Sequence, residues 1–101
     1  MTVAWNPDAI DDRERIHAEL VLRNPAAADR QDAAIEAAGE ALDGVATYAE
    51  GPLPGTRIYT CSGGKYLLIY TRDGDHVEIL WVAPSRSNWL TVGHEIPDGG
   101  N

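Results

Sequence analysis

Four basic side chains in the C-terminal half of the chain are the residues best suited to chemistry. They lie in and beside segments rich in β-forming residues, and a tryptophan follows the last of them: Arg57, Lys65, Arg72, Arg86 and Trp89. Lys and Arg side chains hold either the phosphates of a nucleic acid or the carboxylates of an acidic protein. The first use would suit cleavage of RNA, and the second would suit recognition of a protein partner.

Cleavage of RNA requires groups that transfer protons, in addition to cations that hold the phosphate. The sequence offers few candidates for proton transfer. No tyrosine follows Tyr70, and the three histidines, His17, His76 and His94, are more simply explained as solvated residues. We therefore predict no catalytic residues and favour a protein that is not an enzyme. Cys61 is the single cysteine and allows neither an internal disulfide nor a cysteine pair for zinc, so we expect no metal and no cofactor.

The net charge of −8 is concentrated in one half of the chain. Residues 1–51 hold eleven acidic and four basic side chains, whereas residues 52–101 hold five acidic and four basic ones. An acidic half repels polyanions, so we expect no direct sequence-specific binding of nucleic acid. The acidic half is either a solvated surface or a face matched to a basic partner.

Two helices are predicted by a start signal that occurs twice. Asn6-Pro7 and Asn24-Pro25 each supply a capping oxygen followed by a proline at the first helical position. Apolar residues at helical spacing continue the first helix to about Leu22 and the second to the Asp43-Gly44 stop. The connection is so short that the two helices must form an antiparallel hairpin.

Strands surround this hairpin in the sequence. Thr2–Trp5 precedes it, and three β runs follow it, at 56–61, 66–70 and 77–83, separated by turns at 62–64 and 72–75. The predicted fold is α+β with the order β-α-α-β-β-β, a helical hairpin packed on a mostly antiparallel sheet. We expect its mostly buried residues to include Leu20, Ile35, Leu42, Leu68, Ile69 and Leu80.

The length predicts a single domain, residues 1–90, followed by a flexible tail, residues 91–101, which is rich in Gly, Pro and Asp. No run approaches the roughly 20 apolar residues of a membrane span. The first residues lack the basic and apolar regions of a signal peptide. We therefore expect a cytoplasmic protein that does not associate with membranes.

The ordered set of these segments resembles the RelE/ParE superfamily, the toxins of type II toxin–antitoxin systems. The resemblance covers roughly residues 2–90 and favours the ParE branch, because an Asn-Pro-Ala-Ala junction occurs together with Gly-Thr-Arg. The matching segments are Val3-Ala4-Trp5, Asn24-Pro25-Ala26-Ala27-Ala28, Pro54-Gly55-Thr56-Arg57, Lys65-Tyr66-Leu67-Leu68-Ile69-Tyr70 and Val77-Glu78-Ile79-Leu80-Trp81-Val82, followed by Arg86 and Trp89.

The resemblance implies a toxin that a cognate antitoxin neutralises by wrapping its C-terminal segment around it. ParE-branch toxins act on DNA gyrase, whereas RelE-branch toxins cut mRNA in the ribosomal A site. This chain has Leu67 where RelE-branch toxins tend to place an Arg, so we favour a gyrase inhibitor. The alternatives are a ribosome-dependent endoribonuclease and a non-toxic binding module with the same fold. Contacts to the target or the antitoxin are expected at Arg57, Lys65, Arg72, Arg86 and Trp89.

Overall fold

Two helices and five strands make up the part of the chain that the computed structural model describes, residues 2–45 and 48–85. The order along the chain is β1 (Thr2–Trp5), α1 (Pro7–Val21), α2 (Pro25–Glu40), a 3₁₀ turn (Leu42–Gly44), β2 (Ala49–Glu50), β3 (Arg57–Cys61), a second 3₁₀ turn (Ser62–Gly64), β4 (Tyr66–Asp73) and β5 (His76–Pro84). The predicted elements are all present, and β2 is an addition to them. The expected tail, residues 91–101, lies outside the described residues.

Both helices begin at the predicted caps. The side chain of Asn6 accepts a hydrogen bond from the backbone N–H of Asp8 at 2.8 Å. That of Asn24 accepts one from the N–H of Ala27 at 3.1 Å. Each bond satisfies a backbone donor that the first turn of a helix leaves without an intrahelical partner. None of the described helices is long and apolar enough to cross a membrane.

The sheet has the strand order β1-β5-β4-β3-β2. β3, β4 and β5 form the predicted antiparallel meander, while β1 pairs with β5 in parallel, from Thr2 opposite His76 to Trp5 opposite Ile79. The hairpin of α1 and α2 therefore forms part of the connection from one edge strand, β1, to the opposite edge strand, β2. β2 pairs two residues with the start of β3. A strand of two residues has no periodicity that a sequence could reveal.

A β-bulge in β5 decides which residues enter the core. Ile69 lies opposite Trp81 and Tyr70 lies opposite Ile79, so Leu80 is an extra residue without an opposite partner on β4. The bulge shifts the alternation by one position, and the core face therefore includes Val82. It explains why the apolar pattern of this strand alternates poorly and why Leu80 is half-buried.

The hydrophobic core lies between the helices and one face of the sheet. Of the residues predicted to be mostly buried, Ile35, Leu42, Leu68 and Ile69 have no exposed surface. Leu20 is half-buried against this core. The fully or almost fully buried core residues from the strands are Leu68, Tyr70, Val77, Ile79 and Val82.

A buried carboxylate fastens α1 to β5. Asp12 is 3% exposed, and its Oδ2 accepts a hydrogen bond from the backbone N–H of Val82 at 3.0 Å. Its Oδ1 pairs with Nη2 of Arg15 at 2.7 Å. The sequence alone gives no sign of this contact, because the partner in β5 lies 70 residues away.

The close approach of α2 to β1 depends on Gly39. A Cβ atom at this position would lie 2.6 Å from Cη2 of Trp5 and 2.8 Å from Cδ1 of Ile79. Real Cβ atoms essentially never come this close to other heavy atoms. Glycine is therefore required in the last turn of α2, although a glycine inside a helix normally destabilises the structure by about 0.5–1 kcal/mol relative to alanine.

We predict that Gly39→Ala lowers the free energy of unfolding by about 1–3 kcal/mol, since the added methyl group overpacks the contact with Trp5. Urea denaturation followed by circular dichroism measures the change. The matched variant is Ala37→Gly at an exposed position of the same helix. It should cost about 1 kcal/mol through helix propensity alone. A stabilised Gly39→Ala protein would show that propensity outweighs packing here and would contradict the prediction.

Candidate functional site

Two of the predicted cations, Arg57 and Arg72, meet at one end of the sheet. Arg57 begins β3 opposite Tyr70, and Arg72 lies near the end of β4, two residues after Tyr70. Both line a depression of about 340 Å³ whose other walls are Tyr48, Glu50 and the loop 51–56. The antiparallel pairing of β3 with β4 brings them together, although 15 positions separate them in the sequence.

Aromatic rings hold the guanidinium group of Arg57. Its Cζ lies 3.8 Å from the centroid of the Tyr48 ring, a cation–π arrangement. The buried Tyr70 lies opposite Arg57 on β4. Burial raises the pKa of the Tyr70 hydroxyl above its ordinary value, and Arg57 opposes this rise. Tyr48 was missed by the sequence analysis, because an aromatic residue in an irregular segment carries no pattern.

Arg72 is engaged mainly with the backbone. Its Nη1 lies 3.2 Å from the carbonyl oxygen of Asp43 and 3.4 Å from that of Val45, and its Nε donates to the carbonyl oxygen of Gly74 at 3.1 Å. These bonds tie the segment that follows α2 to the turn between β4 and β5. Arg72 therefore has a structural role and also contributes positive charge to the depression.

The Gly-Thr-Arg segment shapes the loop in front of Arg57. Gly55 has a φ of 84°, which favours glycine. Thr56 is buried, and its hydroxyl donates to the carbonyl oxygen of Leu53 at 2.6 Å, while the N–H of Gly51 donates to the carbonyl oxygen of Thr56 at 2.9 Å. The motif is thus a closed turn that delivers Arg57 to the start of β3.

Lys65 does not join this pair. It lies at the other end of β3 and β4, in the connection that follows Cys61, and it is exposed. At about 3.3 Å per residue, the length of β3 separates it from Arg57 by roughly 16 Å. Arg86 and Trp89, the remaining predicted contact residues, lie outside the described residues.

The two faces of the sheet differ in charge. Strand residues alternate between faces, and Arg57 and Arg72 share the helix-facing side with the core residues Leu68 and Tyr70. We call the opposite side the far face. Among the described residues, no Lys or Arg of a strand lies on it, and its apolar residues include Ile58, Leu67, Ile69, Trp81 and Ala83.

One edge of the sheet is only partly covered. β2 pairs with Arg57 and Ile58, so within the described residues no strand pairs with the outer side of Tyr59–Cys61. The bond from Gly51 to Thr56 sets the register, which directs the backbone groups of Thr56, Ile58 and Thr60 toward this edge. We call Tyr59–Cys61 the open edge. Exposed strand edges are the places where another chain can add a strand.

Cys61 is not arranged as a nucleophile. Its thiol is buried, and burial raises its pKa from 9.0 to about 11. Reactive cysteines have the opposite shift, because the thiolate is the attacking species. Within residues 2–45 and 48–85, no three side chains of His, Cys, Asp or Glu are grouped as ligands for a metal ion.

Comparison with known proteins agrees with this architecture. The structure titled "Chromosomal ParDE TA system from P. aeruginosa" superposes with a TM-score of 0.74 over 83% of this chain and 95% of that chain, at 22% sequence identity. The two proteins therefore share an α+β fold. The family described as "ParE toxin of type II toxin-antitoxin system, parDE" matches residues 3–89. A search of curated proteins finds no significant match.

The chain belongs to the ParE toxin family. Both the resemblance and the fold class inferred from the sequence are confirmed.

We predict that the Cys61 thiol of the folded chain reacts with a disulfide reagent at pH 8 about 100-fold more slowly than the same thiol in urea. A pKa about two units higher leaves about a hundredth of the thiolate at that pH. The absorbance of the released chromophore measures both rates. A Cys61→Ala variant, which has no thiol, gives the background. Equal rates in the two states would contradict the burial of this residue.

Proposed function

We propose that this chain is the toxin of a type II toxin–antitoxin pair, that it inhibits DNA gyrase by binding it, and that a cognate antitoxin neutralises it. Membership of the ParE family supports the toxin assignment. The observation that favours binding over cleavage is the composition of the far face, where Leu67 and Trp81 occupy strand positions that a phosphate-cleaving surface would need for cations.

Arg57 and Arg72 already contact other groups of the chain and are not arranged to hold a scissile phosphate. Arg57 stacks on Tyr48 on the helix-facing side, and Arg72 bonds to backbone carbonyls. The Tyr70 hydroxyl is buried, and its raised pKa keeps it protonated, so it is not available as a general base. These contacts support a protein-binding role for this end of the sheet.

We place the antitoxin at the open edge. An extended segment that paired with Tyr59–Cys61 would continue the sheet and would satisfy the outward backbone groups of Thr60. Lys65 lies at one end of this edge, and Arg57 and Arg72 lie at the other. Acidic side chains on such a segment would therefore meet positive charge at both ends.

We expect Thr60→Pro to weaken the complex with the antitoxin encoded beside this chain. Proline removes the outward N–H of Thr60, while the bonds of β3 to β4 come from its neighbours. Thr60→Ala is the matched control, because it retains that N–H and should bind as the natural sequence does. Isothermal titration of the purified proteins measures both affinities.

The natural complex should bury more than about 1,200 Å² in total. Lys65→Glu should also weaken the complex. Its affinity should then depend less on salt, because the exposed charge of Lys65 attracts the antitoxin through solvent that salt screens. If the affinity for the antitoxin is unchanged in both Thr60→Pro and Lys65→Glu, the antitoxin does not bind at the open edge.

We expect the chain to inhibit supercoiling by purified gyrase or to increase cleaved plasmid, and to leave mRNA intact in a translating extract. Gel electrophoresis of plasmid and primer extension on mRNA provide the two measurements. The chain bound to its antitoxin is the matched control and should be inactive. If the mRNA is cut at positions set by the codons while gyrase is unaffected, the chain is a ribosome-dependent nuclease and the gyrase assignment is wrong. No effect in either assay would leave a non-toxic binding module.

A further inference from the structure

A second surface, of opposite charge, lies along the solvent side of the helix hairpin. It is a groove of about 570 Å³ between α1 and α2, to which the end of β1 also contributes. We call it the acidic groove, and its lining residues are Trp5, Ile10, Arg13, Glu14, His17, Asp32, Glu36 and Glu40. None of them takes part in the function proposed above.

The acidic groove has an apolar floor. Ile10 is 42% exposed and lines the groove together with the partly buried Trp5. The Trp5 ring is fixed from two sides, since its Nε1 donates to Glu40 at 3.1 Å and the Arg13 guanidinium lies 4.6 Å from its centroid. A floor fixed in this way can accept an apolar side chain with little loss of its own freedom.

The rim is negative because its one guanidinium group is already neutralised. Arg13 bonds to both carboxylate oxygens of Asp32, at 3.0 Å each, and lies 3.8 Å from Glu36. The net negative charge of the rim comes from Glu14, Glu40 and Glu36, since Glu36 lies farther from Arg13 than Asp32 does. A purely solvating helix surface would not need an apolar floor inside such a rim.

We propose that the acidic groove binds a cationic amphipathic segment of a partner protein. One apolar side chain of that segment packs on Trp5 and Ile10, and flanking Lys or Arg side chains pair with Glu14, Glu36 and Glu40. The opposite charge of the rim and the apolar floor specify this chemistry together. The acidic antitoxin segment expected at the open edge does not fit here, so the two surfaces can be occupied at once.

The test uses the whole purified chain labelled with ¹⁵N and a helical peptide with one Leu flanked by Lys residues on an Ala backbone. We expect the peptide to shift the Trp5 indole N–H signal and the amides around Ile10 and Glu36 in NMR spectra. Replacing the Leu of the peptide with Ala should weaken binding about fivefold or more, since an isobutyl group leaves the apolar floor. A peptide with Glu in place of Lys should not bind.

Charge reversal provides the matched comparison. Glu14→Lys should weaken peptide binding about fivefold or more, because it places a like charge at the rim. Glu19→Lys makes the same change at an exposed position of the same helix outside the groove and should alter the affinity less than twofold. Ile10→Ser should weaken the binding of the Leu peptide and leave the affinity of the Ala peptide unchanged. Circular dichroism of each variant checks that it is folded.

Three results would overturn the proposal. Equal weakening by Glu14→Lys and Glu19→Lys would indicate attraction to the net charge alone. Equal affinity of the Leu and Ala peptides would show that the apolar floor does not contribute to binding. Spermidine that produced the same shifts with the same affinity would assign the groove to small polycations. The gyrase and antitoxin assays are separate measurements, so the failure of either proposal leaves the other testable.

Discussion

The hydrogen bond from the Val82 N–H to the Asp12 carboxylate is the contact around which the described fold is arranged. β5 lies between β1 and β4 in the sheet, and β1 pairs with it only as far as Ile79. Past that residue, a side chain of α1 takes the place of a strand and satisfies the buried backbone donor. Loss of the carboxylate would leave that N–H without its acceptor, at a cost of about 1–3 kcal/mol. The position of α1 on the sheet is thereby tied to the β-bulge at Leu80.

This docking of the helices gives the molecule two surfaces of different character. On the sheet, the meander directs Arg57 and Arg72 to the helix-facing side and leaves apolar residues such as Leu67 and Trp81 on the far face. On the helices, the packing of Ala9, Asp12 and Ile16 against the sheet directs the other acidic residues of α1 outward. The concentration of negative charge in the first half of the chain therefore becomes a property of one side of the fold.

The two proposals use these surfaces separately. An acidic segment suits the open edge, where cations lie at both ends, and a cationic segment suits the acidic groove. Association through either surface would be sensitive to salt, because the charges at both are at least partly exposed. Family membership accounts for a toxin with a protein partner, whereas the acidic groove follows from particular residues of this chain: Trp5, Ile10 and the three glutamates around them.

Local signals determined the elements of this protein. Asn6-Pro7 and Asn24-Pro25 started both helices, and the glycine turns separated the strands of the meander, because caps and turns depend on residues close in sequence. Only the tertiary structure decided the parallel pairing of β1 with β5, the bulge at Leu80 and the burial of Asp12. It also decided that Arg57 meets Tyr48 and Arg72 while Lys65 stays apart. These features depend on contacts between residues far apart in the chain, and no local periodicity encodes them.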